Sequence, residues 1–185
     1  MTLTIYNIKR HADERGSFSE TFNQKMFPDT PFVQDMRSFS SKKGTIRGLH
    51  FQVPPFGQSK LVWCSRGEVL DVIVDIRRGS PTYGKHFKIK LSSENNLQIH
   101  IPIGFAHGFI TMLPETEMCY KVSNYHAPDC EAGIKWNDPD LNIEWPDIKD
   151  NFTISERDSN LTDFINFNSP FDYDGIPLST THIFS

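Results

Sequence analysis

Between Val69 and Val122 the chain alternates apolar and polar residues with a period of two, in short runs broken by turn residues. Leu70, Val72, Val74 and Ile76 share one face, with Asp71 and Asp75 on the other. Phe87, Ile89 and Leu91 alternate with lysines, Ile99 and Ile101 with Gln98 and His100, and Met118, Tyr120 and Val122 with Cys119 and Lys121. A period of two belongs to strands whose successive side chains point to opposite faces. Ser65-Arg66-Gly67, Arg78–Pro81, Ser92–Asn96, Pro102-Ile103-Gly104 and Leu113-Pro114-Glu115 punctuate the runs with turn chemistry. Short strands at this spacing, with no amphipathic helix between them, predict an all-β sandwich or barrel. Fifteen phenylalanines agree with packed sheets. Helices are expected to be few: one over Glu20–Phe27, and one over Ser155–Phe164 with Ser155 as N-cap and Glu156 and Asp158 in its first turn. The last fifteen residues read as an irregular tail.

Composition excludes several functions. The formal net charge is −4, so no basic face is expected for nucleic acid. No run approaches the roughly 20 apolar residues that cross a bilayer, so neither nucleic acid nor membrane is an expected partner. The N-terminus lacks the basic-then-apolar order of a signal peptide. Three cysteines, Cys64, Cys119 and Cys130, form no CxxC pair, which argues against a disulfide framework or cysteine zinc site and favours a reducing cytoplasm.

The segment Gly44–Lys60 concentrates reactive side chains. As a strand it places Ile46, Gly48, His50 and Gln52 on one face. A hairpin through Pro54-Pro55-Phe56-Gly57 would return a second strand carrying Lys60, Val62 and Cys64. His50 and Lys60 would then enter one cavity from neighbouring strands. A histidine can take a proton near neutral pH, and a lysine can hold charge developing on an oxygen. The alternative is a core histidine and a solvated strand end. Tyr120 lies on an inward face and is either core or a proton donor. Arg15, Arg47 and Lys60, if gathered, would suit a diphosphate.

Pro102-Ile103-Gly104-Phe105-Ala106-His107 resembles the second half of the cupin signature. The first half reads His50-Phe51-Gln52, with a neutral amide where metal-binding cupins place a second histidine. An amide is a poor ligand for divalent first-row metals, so no metal and no other cofactor is expected.

More widely, the chain resembles the dTDP-4-dehydrorhamnose 3,5-epimerase family of the cupin superfamily. The resemblance rests on Asp13–Gly16, Phe32–Asp35, Arg47–Gln52, Gly67–Val72, Ser80–Lys85, Leu91–Asn95, Ile101–Phe109 and Trp136–Leu141, in that order. It implies a cupin-like double-stranded β-helix (jelly roll) with short peripheral helices, in one domain over residues 1–185. The core would span about 13–146, with a C-terminal helix and tail over 150–185. It implies a metal-free isomerase acting beside the C4 ketone of a nucleotide-linked 4-keto-6-deoxyhexose, and a homodimer. By resemblance His50 is the base, Asp158 its orienting carboxylate, Lys60 the group that contacts the sugar oxygens and Tyr120 the acid. Arg15, Arg47, His107, Glu131 and Arg157 fall at substrate-binding positions. Phe18, Glu20 and Gln34 resemble contacts on a segment that family dimers exchange between subunits. The chain departs from the family at Met36 and at Tyr125-His126, near the nucleotide and sugar. A single-carbon epimerase, a 3,4-ketoisomerase of the same fold and a non-catalytic sugar-binding cupin are the competing readings.

Overall fold

The computed structural model describes residues 2–148 and 152–184. Among these residues, thirteen strands build two large sheets and a small hairpin. The six-stranded sheet runs β13 (Thr180–Phe184), β1 (Leu3–Asn7), β9 (Leu97–Ile101), β6 (Lys60–Arg66), β11 (Thr116–Val122) and β4 (Gln34–Ser40). The five-stranded sheet runs β12 (Glu131–Gly133), β5 (Ile46–Gln52), β10 (Phe105–Thr111), β7 (Glu68–Asp75) and β8 (His86–Ser92). The hairpin pairs β2 (His11–Asp13) with β3 (Gly16–Phe18). Strands distant in sequence are neighbours in both large sheets, and the sheets pack face to face. This is the cupin-like jelly roll.

Each large sheet places one face on a common interior. Leu3, Ile5, Val62, Ile99 and Met118 from one sheet meet Val69, Ile73, Phe105 and Phe109 from the other. The five-stranded sheet is covered on its outer face as well. Val72, Val74, Ile76, Ala106, Leu49 and Phe51 lie there beneath Ile134, Leu141 and Phe171. The alternation in β7 is as read, but its continuous apolar face is this outer one. On the face that looks into the sandwich Val69 and Ile73 alternate with Asp71 and Asp75, and both aspartates are fully buried. Leu3, Ile5 and Phe171 extend the core beyond residues 13–146.

Three local expectations differ from the fold. Glu20–Phe27 forms only a 3₁₀ turn over Gln24–Met26, capped by the Asn23 side chain. Phe22, Phe27 and Phe32 pack on one another, with Phe27 against Tyr6. That ring cluster fixes the segment more tightly than helical propensity could. Helix α1 spans only Glu156–Ser159, because Thr162 joins Ile134 in a parallel bridge and draws the chain out. The tail ends in β13, which pairs in parallel with β1. No described helix is long and apolar enough to cross a membrane.

Candidate active site

One pocket of about 420 Å³ opens between the sheets, a volume within the usual range for small-molecule sites. The five-stranded sheet supplies Arg47, His50, His107 and Glu131. The six-stranded sheet supplies Met36, Ser38, Lys60 and Tyr120, and α1 supplies Arg157 and Asp158. His50 and Lys60 do share a cavity, but not as hairpin partners. β5 and β6 belong to opposite sheets, and residues 53–59 carry the chain across. Two prolines there remove the N–H donors a hairpin ladder would need.

A bulge in β5 sets the direction of the side chains. Opposite Gly108 of β10, the pairing steps from His107–His50 to Phe109–Arg47. Two residues of β5, Gly48 and Leu49, therefore face one of β10. The extra residue breaks strict alternation. Arg47 and His50 both reach the pocket, while Ile46 is buried away from it; the expectation that Ile46 and His50 share a face fails here. Gly48 has φ of +124°, and a Cβ on it would lie 2.5 Å from the Gly108 Cα. Only glycine fits.

The bulge also frees a donor. The Gly48 N–H donates to Asp158 Oδ2 at 3.0 Å, and Asp158 Oδ1 meets His50 Nε2 at 2.8 Å. Burial pushes the Asp158 carboxyl up, but the His50 ring and the Gly48 amide outweigh it and hold it below its ordinary value. Asp158 stays put because α1 is fixed at both ends. Ser155 Oγ accepts from the Asp158 N–H at 3.0 Å. Upstream, the Ile46 N–H donates to Thr153 O and the Thr153 N–H to Gly44 O; downstream, the Lys135 N–H donates to Thr162 O. With Nε2 engaged by Asp158, the other ring nitrogen of His50, Nδ1, is the one free to act as a base.

A second histidine–aspartate pair lies deeper. His107 Nε2 meets Asp71 Oδ1 at 2.7 Å across adjacent strands. Asp71 Oδ2 has no hydrogen-bond partner, alone among buried side-chain polar atoms of the described residues. Burial raises the Asp71 carboxyl, opposed by His107 and Lys60. Asp75, four residues further along the same face, takes bonds from Arg77, Ser80 and Thr82.

Lys60 brings its ammonium to 3.5 Å from the His50 carbonyl. Burial pulls its pKa down to about 8, against the pull of Glu131 and Asp71. Tyr120 stands on the facing wall, its ring centroid 6.3 Å from that of His107. Burial pushes its phenol well above the ordinary value. Arg47 is held by the Phe39 carbonyl at 3.0 Å and Ser40 Oγ at 3.3 Å. Arg157 pairs with Glu131 at 2.8 Å at the mouth.

Four expected residues do not line the pocket. Arg15 pairs with Asp13 on the β2–β3 hairpin, Phe18 is 73% exposed and Glu20 is exposed. Gln34 sits one step back, accepting from the His126 N–H, and His126 itself lines the pocket. Sequence reasoning missed Asp71, Ser38 and Ser40. The period of two through Gln34, Met36, Ser38 and Ser40 is the signal that could have found the serines. Gln52 commits its amide to the Phe56 and Tyr125 carbonyls and to the Ala127 N–H. Among the described residues, no three His, Cys, Asp or Glu side chains gather as a metal-ligand set.

Comparison with known proteins bears on this geometry. Residues 2–166 match the family of dTDP-4-dehydrorhamnose 3,5-epimerases. A relative of that name from Shigella flexneri is 48% identical over 166 residues, 87% of this chain and 90% of its own length. One from Sinorhizobium fredii is 44% identical over 181 residues, 93% of this chain and 92% of its own. The crystal structure of a Legionella pneumophila dTDP-6-deoxy-D-glucose-3,5-epimerase in complex with dTDP-4-keto-L-rhamnose superposes with a TM-score of 0.86. Its identity is 39%, over 91% of this chain and 92% of that one.

Proposed function

The chain belongs to the dTDP-4-dehydrorhamnose 3,5-epimerase family and is an isomerase, and from that premise we propose how its pocket works on a dTDP-linked 4-keto-6-deoxyhexose. The C4 ketone acidifies the C–H bonds at C3 and C5. His50, oriented by Asp158, removes the proton through Nδ1. The electron pair of the broken C–H bond moves onto the ketone oxygen, and the Lys60 ammonium stabilises that enolate. Tyr120 then delivers a proton to the opposite face of the carbon, and inversion results. A lone base would return the proton to the face it left.

One observation carries this reading: an imidazole backed by a carboxylate and a phenol enter one pocket from opposite sheets. Arg47 and Arg157 provide bidentate donors suited to the diphosphate, and His107 and Glu131 offer contacts to sugar hydroxyls. A homodimer is part of the proposal. Arg15, Phe18 and Glu20, exposed on one chain, would serve the pocket of a second copy. So is a cytoplasmic location, since none of the three cysteines is disulfide-bonded.

The test is solvent deuterium wash-in followed by NMR, with dTDP-4-keto-6-deoxyglucose as substrate. Label at C3 and C5 with inversion at both is the expected result. Label at one carbon turns the reading into a single-carbon epimerase, a shifted ketone into a ketoisomerase. Absence of label at either carbon overturns proton abstraction altogether.

A further inference from the structure

The inner face of the edge strand β4 carries three hydrogen-bonding side chains, Gln34, Ser38 and Ser40, and one of them touches the acid. Gln34, Met36, Ser38 and Ser40 point the same way at successive positions of the strand's period. Ser40 steadies Arg47, and Gln34 steadies the His126 backbone. Ser38 Oγ lies 3.0 Å from the Tyr120 phenol oxygen, reached diagonally because Tyr120 stands opposite Met36 and Met118 opposite Ser38. It is the only hydrogen-bonding side chain at that oxygen among the described residues, and both residues line the pocket.

The contact has two possible senses with opposite consequences. If the phenol donates to Ser38, its proton is turned toward β4 and away from the pocket. If Ser38 donates to the phenol oxygen, the phenolic proton is free to point inward. We propose that Ser38 is a positioning residue for the Tyr120 acid, donating to the phenol oxygen so that its proton faces the sugar and the phenolate left behind keeps a partner. This rests on the epimerase reading above.

The step balances. The Tyr120 O–H bond breaks as the enolate's electron pair forms the new C–H bond, and the negative charge passes to the phenol oxygen. The proton on His50 returns to that oxygen through pocket water, restoring both groups. A phenolate buried between sheets is poorly solvated, so a donor already in place favours it when it forms. Burial raises the Tyr120 phenol, which marks the cost of leaving its phenolate without a donor.

The experiment compares two rates in one sample, deuterium wash-in and stereochemical inversion, for Ser38→Ala and Ser38→Thr. Wash-in can occur on the His50 side alone, while inversion requires Tyr120. In Ser38→Ala, inversion should fall about ten- to a hundredfold, with wash-in within about twofold of the parent. Ser38→Thr keeps a hydroxyl at the same place and should recover inversion to within about fivefold. Equal loss of both rates, or no loss of either, overturns the proposal. So does failure of threonine to rescue where alanine has slowed inversion. These outcomes are separate from failure of the epimerase reading, which would appear as no label even in the unmodified enzyme.

Discussion

The molecule contains the same pair of side chains twice, in two environments. His50–Asp158 stands at the pocket wall, with the imidazole 25% and the carboxylate 6% exposed. His107–Asp71 is enclosed, at 4% and 0%. Asp158 arrives on a separate segment and has both oxygens engaged, one by His50 and one by the Gly48 N–H. Asp71 sits on a strand adjoining that of its histidine and leaves one oxygen without a partner. The outer carboxylate is therefore lowered and the inner one raised. A base must gain and lose a proton in each turnover, which calls for a stable charge beside it and access to solvent. The outer pair has both. The inner pair has neither the access nor the full complement of hydrogen bonds, and it serves as a fixed polar wall that gives His107 one orientation.

Substitutions should separate the two pairs. The largest effect is expected from His50→Asn, with turnover and deuterium wash-in both falling a hundred- to ten-thousandfold and the urea midpoint nearly unchanged. Wash-in surviving within tenfold would remove His50 as the base. His107→Ala should act the other way. It strands a buried carboxylate, and losing one partner of such a pair costs roughly 3–5 kcal/mol, readable as a drop in the denaturant midpoint. An unchanged midpoint would mean that the inner pair contributes nothing to the fold.

Next in size is the dependence of stability on pH, where the pairs should differ in sign. The Asp158 carboxyl is lowered on folding, so its contribution is present above the ordinary carboxylate value and is lost as pH falls through the lowered one. The Asp71 carboxyl is raised on folding, so the native state binds more protons just above the ordinary value. Its contribution is present in acid and declines as pH rises. Unfolding free energies of Asp158→Asn and Asp71→Asn, each subtracted from the parent between pH 3 and 7, should slope in opposite directions (about 3.9 is the ordinary value). Parallel slopes would refute the contrast. The smallest effect is Ser155→Ala. It removes the cap that fixes Asp158, at about 1 kcal/mol, and should slow wash-in several-fold while leaving KM unchanged. Ser155→Asp, which can also cap, should restore the rate.

How far the sequence discloses this follows from the range over which each feature acts. Alternation is local, so the strands of the two sheets are legible from Val69 to Val122. Which face of β7 looks inward is not, because Phe171 and Leu141 cover the outer face from far along the chain. The helices expected over Glu20–Phe27 and Ser155–Phe164 shrink to Gln24–Met26 and Glu156–Ser159 because a ring cluster and a bridge at Thr162 override local helix signals. His50 and Lys60 share a cavity, as a hairpin would have them do, but they reach it from opposite sheets because the segment at Pro54-Pro55 changes sheets. Ser38 and Ser40 carry no local signal of a role, and Asp71 reads only as the polar side of a strand, for the meaning of Ser38 and Asp71 lies in Tyr120 and His107, more than thirty residues away.

Asp158 follows His50 in the chain by 108 positions. A chain leaving the ribosome completes β5, β6, β10 and β11 before it makes the carboxylate that meets His50. Until the Thr153 and Thr162 anchors engage, the growing polypeptide can own both sheet walls of its pocket and, on the proposed mechanism, still be inert. On heating, release of those anchors before the sheets part would end turnover while both sheets are intact, and loss of activity would be the earliest sign of unfolding.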